Sequence, residues 1–127
     1  MQFAEYEWRS SPRQETLQKW DEVLYQTAEF MADYAFWNES TGVYDLGPPM
    51  YPVSENTDPN ATVNPTFELA YWRFGLDEAS RWQQQQGKHV PEKWTHVAEH
   101  LAKLPVQNGT YVIYEGIENM CTLPVTV

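Results

Sequence analysis

A single cysteine, Cys121, stands in 127 residues, so the chain has no internal disulfide and no Cys-based zinc site. Basic residues are scarce: eight Lys and Arg face eighteen Asp and Glu, a formal charge of −10. Nucleic acids and anionic membranes need clustered cations, so neither is expected as a partner. No apolar run approaches the roughly 18 residues of a membrane-crossing helix. The polar opening stretch MQFAEYEWRS lacks the pattern of a signal peptide. No Gly-rich phosphate loop and no G-x-S-x-G elbow is present. No cofactor is expected, and localisation is left open. What the chain has in quantity is aromatic surface, including six Trp and eight Tyr. Such side chains fill cores and also line carbohydrate sites.

Residues 1–127 read as a single domain. Its first ten residues carry Phe3, Tyr6 and Trp8 without a helix-start signal. Ser11-Pro12-Arg13-Gln14 then resembles a capping box with proline in the first turn. Leu17, Trp20, Leu24, Thr27, Met31 and Ala35 follow at three- and four-residue steps, which predicts a helix to about Phe36. Asn38 to Gly42 breaks it, and Val43 to Leu46 reads as a short extended piece. Asn64-Pro65 predicts a second helix with Asn64 as N-cap. Its apolar residues fall on two faces: Leu69, Trp72, Leu76 and Ala79, and separately Phe67, Ala70 and Phe74. A helix of that kind is sandwiched between neighbours. Gly87 stops it. Pro91 opens a third helix, whose buried stripe is Trp94, Val97, Ala98, Leu101 and Leu104. Asn108-Gly109 is a turn, followed by a β-prone run from Thr110 to Tyr114. The surplus of apolar helix face predicts either self-association or further helical segments beyond these.

Between these elements runs GPPMYPVSENTDPNATV, residues 47–63. A loop of this length with no period of its own is usually functional or disordered. Met50, Tyr51 and Val53 argue against disorder, so it reads as an active-site loop. Three acids in or beside it are candidates. Glu55 lies among Tyr51, Met50 and Val53, where desolvation raises a carboxyl's pKa and suits it to give up a proton. A solvated loop glutamate is the plain alternative. Asp58 precedes Pro59 and reads as a turn residue. Glu68 falls in the first turn of the second helix, where the helix dipole favours a carboxylate. His96-Val97-Ala98-Glu99-His100 matches the inverted zinc-protease pattern, but it is short and fits a solvent-facing helix surface, so no metal is expected there. Three N-glycosylation sequons, at Asn38, Asn60 and Asn108, are too cheap a pattern to imply secretion.

The run VYDLGPPMYPVSENTDPNATVNPTFELAYWRFGL resembles the acid loop and following helix of six-hairpin glycosidases. Its relatives are glycoside hydrolase family 65, which includes maltose phosphorylase and acid trehalase, and the family 95 alpha-fucosidases. The features that carry the likeness are Tyr44, Gly47-Pro48, Pro52-Val53-Ser54-Glu55-Asn56 and Asn64-Pro65, in comparable order. The family 65 Gly-Pro-Asp-Glu run is not reproduced, and the fucosidase Ser-Pro-Glu is Ser54-Glu55 here. The substrate class is therefore not carried over.

The resemblance implies an all-α chain of helical hairpins, part of an (α/α)6 barrel with a long active-site loop. It implies Glu55 as general acid in inverting hydrolysis of a glycosidic bond. Tyr44, Asn56, Asn64, Glu68 and Trp72 would contact a carbohydrate substrate. The catalytic base would lie on other segments, so this chain alone is expected to be inactive. The competing expectation is a non-catalytic carbohydrate-binding or helical interaction module.

Overall fold

The computed structural model describes residues 1–51 and 58–117. Four helices occur there: α1 (Gln2–Ser10), α2 (Gln14–Tyr34), α3 (Thr66–Gln85) and α4 (Glu92–His100). Two antiparallel hairpins accompany them, β1 (Phe36–Asn38) with β2 (Val43–Asp45), and β3 (Val106–Gln107) with β4 (Thr110–Tyr111). This corrects the all-α expectation. Four helices and two two-stranded sheets do not form the helical hairpins of an (α/α)6 barrel. The physical reason lies at Asn38 to Gly42. The N–H of Gly42, at φ +72°, donates to the Asn38 carbonyl at 2.8 Å, and the chain folds back into paired strands instead of a second helix.

The chain divides into two compact units, one made of Met1–Tyr34 and Trp72–Glu99, the other of Ala35–Tyr71 and His100–Val127. In the first unit α2 is the spine. Three buried tryptophans place their indole N–H groups on it: Trp82 on the Leu17 carbonyl at 3.0 Å, Trp72 on the Met31 carbonyl at 2.9 Å, and Trp94 on the Glu29 carboxylate at 2.7 Å. A buried indole needs such a partner, and α2 supplies one each time. Leu17, Leu24 and Met31 of α2 are buried, as their spacing predicts. So are Trp94, Val97 and Leu101 in the third predicted stripe.

Residues 1–10, without a start signal, are nonetheless helical. Ala4 is fully buried in a cluster with Leu17, Leu24 and Trp82, and Trp8 meets Trp82 edge-on at 6.0 Å. Tertiary packing makes this helix, since nine residues alone are too few for one in water. Pro12 ends it. The two-sided reading of α3 holds on one side only. Leu69, Trp72, Leu76 and Ala79 are buried, while Phe67 is 68 % exposed. The helix stops at Gly87, φ +70°, whose N–H reaches the Gln84 carbonyl while that of Lys88 reaches Gln83. That pair of bonds is the Schellman arrangement.

In the second unit, β2 continues past its hairpin. The Tyr44 carbonyl accepts the N–H of Ala102 at 2.9 Å, beside a parallel bridge from Tyr44 to Leu101. The β3–β4 turn is Asn108-Gly109, both at positive φ, as a two-residue hairpin turn of this hand demands. The chain after β4 is stitched to the entry of α3. Thr66 N–H donates to the Ile113 carbonyl at 2.9 Å, and Glu115 N–H to that of Val63 at 3.0 Å. Among the described residues no helix is long and apolar enough to cross a membrane.

Candidate functional site

The second unit builds its most organised polar cluster around Asn64. This residue is fully buried and holds φ +51°, a left-handed conformation that asparagine tolerates better than most side chains. Its side chain does not cap α3 as the sequence predicts. Instead the Oδ1 atom accepts the backbone N–H of Leu46 at 2.8 Å. The Nδ2 group donates to Asp45 Oδ1 at 2.9 Å and to Glu115 Oε2 at 2.5 Å. Both amide hydrogens and the carbonyl are thereby used. Asp45 is held from its other oxygen too, where Asn38 Nδ2 donates to Oδ2 at 3.0 Å.

Asp45 ends β2, and Glu115 follows the β3–β4 hairpin, so two turns of chain bring the carboxylates to one amide. Bonds of these lengths from a single nitrogen leave the two oxygens less than about 5.5 Å apart. Both acids line a cleft of about 520 Å³, together with Asn38, Gln107, Val43 and Val112. Carboxylate and amide groups over an aliphatic floor are what a hydroxyl-rich ligand needs, because each sugar hydroxyl both donates and accepts. The two acids are too close to act as an inverting acid–base pair, which spans roughly 6.5–9.5 Å. So placed, the two carboxylates can accept hydrogen bonds from hydroxyl groups.

The predicted site residues are placed as follows. Glu55 and Asn56 lie outside the described residues. Tyr44 is half-buried on β2, its ring 5.0 Å from that of Trp37. Asn64 is the organiser of the carboxylate pair and has no exposed surface of its own. Glu68 sits half-buried in the first turn of α3, and burial raises its carboxyl above the ordinary value. Trp72 belongs to the other unit, where its ring packs on Phe30 and Tyr34. Its N–H is spent on Met31. The structure therefore puts Asn64 behind the two acids of the cleft and Trp72 in a hydrophobic core.

Asp58 is a turn residue: its carboxylate takes the Asn60 N–H at 3.0 Å and its carbonyl the Thr62 hydroxyl at 2.7 Å. The described ends of the long loop are pinned together. Met50 N–H donates to the Pro59 carbonyl at 3.0 Å, and Gly47 passes directly under Thr62. His96 and His100 lie on α4, and the His100 ring meets Trp37 edge-on at 6.2 Å. Among the described residues no group of three or more His, Cys, Asp or Glu is arranged to hold a metal ion.

Sequence reasoning passed over Asp45, Glu115 and Asn38. Only their company was visible: Asp45 closes the Val43-Tyr44-Asp45 strand run, and Glu115 precedes a glycine after a hairpin. Neither spacing announces that a buried asparagine will join them. No protein-family model, curated protein or solved structure matches this chain, so what the cleft does rests on its own residues.

Proposed function

We propose that this chain acts on carbohydrates. A saccharide is bound in the cleft of the second unit, and Glu55 is the proton donor for cleavage of a glycosidic bond. The observation that carries the reading is the carboxylate pair of Asp45 and Glu115, held by Asn64 on the wall of a cleft of about 520 Å³. With Asp45 engaged at both oxygens and Glu115 at one, the remaining lone pairs accept hydroxyls from neighbouring positions of a sugar ring. The amides of Asn38 and Gln107 supply donors. Val43 and Val112 offer the apolar contact that a ring's C–H face requires.

In the reaction, Glu55 gives its proton to the departing oxygen as the bond to the anomeric carbon breaks. Water adds to that carbon on the opposite face after losing its proton to a second carboxylate roughly 6.5–9.5 Å from Glu55. Asp45 and Glu115 hold the ring while this happens. Glu55 acts as acid only while it retains a proton near the working pH.

The test has two steps. Titrating the chain with mono- and disaccharides is expected to move the side-chain amide resonances of Asn38 and Gln107. The double variant Asp45→Asn, Glu115→Gln is expected to abolish those shifts. In the natural protein, Glu55→Gln should lower kcat/KM at least ~10²-fold on glycosides with poor leaving groups. Nitrophenyl glycosides and glycosyl fluorides should lose far less, because they depart without a proton. No saccharide shifting the amides would end the carbohydrate reading. Binding with no dependence of turnover on Glu55 would make the protein a non-catalytic binding module.

A further inference from the structure

Glu78 is the most deeply buried charged side chain among the described residues, 2 % exposed, and it lies on α3 in the first unit. Helix α1 packs along α3 there, with Met1 against Gly75, Ala4 clustered with Trp82, and Trp8 on Trp82, which sets the Glu5 carboxyl within hydrogen-bonding reach of Glu78. Two carboxyl groups in contact share such a bond only when one of them keeps its proton, because two bare carboxylates repel. Each acid also has its own cation. Arg9 Nε sits 2.8 Å from Glu5, and an Arg81 guanidinium nitrogen sits 2.5 Å from Glu78. The charge pattern is thus alternating: Arg9, Glu5, the shared proton, Glu78, Arg81.

We propose that Glu5 and Glu78 form a one-proton clasp that fastens α1 to α3 and opens as the solution turns from acid to alkaline. The chemistry fixes which acid is the donor. Burial, and then the bond to Glu5, push the Glu78 carboxyl up to about 7. The bond from Glu78 holds Glu5 below the ordinary value. The Glu78 O–H therefore donates to the Glu5 carboxylate.

The groups that act on the pair come from its own helices. On α1 these are Arg9 and, through Arg9, Tyr6; on α3, Arg81. Asp77 of α3 and Glu99 of α4 border the surface depression that Arg81 also lines. From α2, Lys19 engages Glu7 one residue pair further along α1.

Consider the sign. Glu78 is raised in the folded chain, so the folded state keeps a proton that the unfolded chain gives up near pH 4.5. The stabilisation is complete below that pH and is lost as pH rises through about 7. Above it, two contacting carboxylates remain, one of them almost without solvent. The element that yields is α1. It has nine residues, no side-chain cap at its start, and one fully buried side chain, Ala4. Helices α2, α3 and α4 keep their own buried contacts.

Amide hydrogen exchange read by NMR across pH 5.5 to 8.5 tests the clasp, with rates corrected for their intrinsic pH dependence. Protection of the α1 amides is expected to fall at least about tenfold relative to those of α2 and α4. The contact between Trp8 and Trp82 gives a second readout, a change in near-ultraviolet circular dichroism that is absent in Trp8→Phe. Glu78→Gln replaces the carboxylic acid with an amide that still donates to Glu5, so its α1 protection should be flat with pH. Glu5→Gln removes the acceptor charge and leaves Arg81 to stabilise ionised Glu78, so the transition should move to lower pH. A wild-type α1 whose relative protection is flat over this range would overturn the clasp. So would an unshifted transition in Glu5→Gln, the variant to rely on if Glu78→Gln does not fold.

Discussion

Asn64 and Leu46, eighteen residues apart, are joined twice: the Asn64 side-chain oxygen accepts the Leu46 N–H, and the Leu46 carbonyl accepts the Asn64 N–H, both at 2.8 Å. The asparagine thus pairs with β2 as a further strand residue would, while its side-chain amide donates to the two acids. One side chain sets both the backbone path and the carboxylate geometry of the cleft.

Removing that side chain exposes the dependence. Asn64→Ala leaves the buried Leu46 N–H without its acceptor, at about 1–3 kcal/mol. It also keeps an alanine in the left-handed region, at about 1–2 kcal/mol more. Asn64→Asp preserves the acceptor but sets a third carboxylate against Asp45 and Glu115. It should be the less stable variant at pH 7 and recover toward pH 4.5, since protonation restores a donor. Urea melts at the two pH values measure both. Equal stability of Asn64→Asp and wild type at pH 7 would refute the bridge.

Gly47 tests the anchoring of the long loop. It holds φ +80°, and a Cβ there would lie 2.8 Å from the Thr62 backbone carbonyl oxygen and 2.9 Å from the Met50 Cβ. Backbone cannot step aside as a flexible side chain does. Gly47→Ala should therefore cost about 2–4 kcal/mol, from overpacking and left-handed strain together. Gly109→Ala, at φ +78° in open space, isolates the strain alone and should cost about 1–2 kcal/mol. The difference in urea midpoints between the two variants reports the crossing.

Trp82→Phe should lower stability by about 2 kcal/mol, from lost buried area and the lost hydrogen bond to the Leu17 carbonyl. Trp37→Phe, at a position 38 % exposed on β1, should cost well under half of that. Thermal melts followed by far-ultraviolet circular dichroism compare them.

Acid stability should depend on Asp21. Burial works against its ionised form, yet bonds from Gln86, Lys88 and Gln83 prevail and hold it below the ordinary value. A depressed carboxyl contributes stability above its unfolded pKa and loses it as pH falls through the folded one, here below about 4. Asp21→Asn should flatten that part of the profile in urea midpoints taken from pH 2 to 6.

The helices were legible where period and caps agreed. Leu17, Leu24 and Met31 mark α2, and Trp94 and Val97 mark α4, because a buried stripe repeats at helical spacing. The α1 helix was not legible, since its formation depends on Ala4 and Trp8 reaching residues far along the chain. The β1 strand was hidden inside an apolar run that continues the period of α2. Its pairing with β2 is decided by the turn at Gly42. At the cleft, Asn64 was read as a helix cap and a sugar contact, and its bridging role was not legible. A cap and a bridge need the same side chain, and the choice between them is made by Leu46, Asp45 and Glu115. The two acids were illegible for the same reason: their meeting is set by contacts over 51 residues, from Asn64 to Glu115.

The division of the chain also bears on biosynthesis. Each compact unit takes one early and one late stretch of sequence, the first closing only with Glu99 and the second drawing on residues from His100 onward. On the ribosome neither unit can finish when its first half emerges. The exposed apolar faces of α2 wait for α3 and α4, some seconds later at ~5–20 residues per second. A cut in the long loop would separate neither unit from the other, because each has covalent strands on both sides of it. Truncation from the carboxyl end should likewise undo the second unit before the first, and a nascent chain stalled near residue 100 would present one unit closed and its companion open.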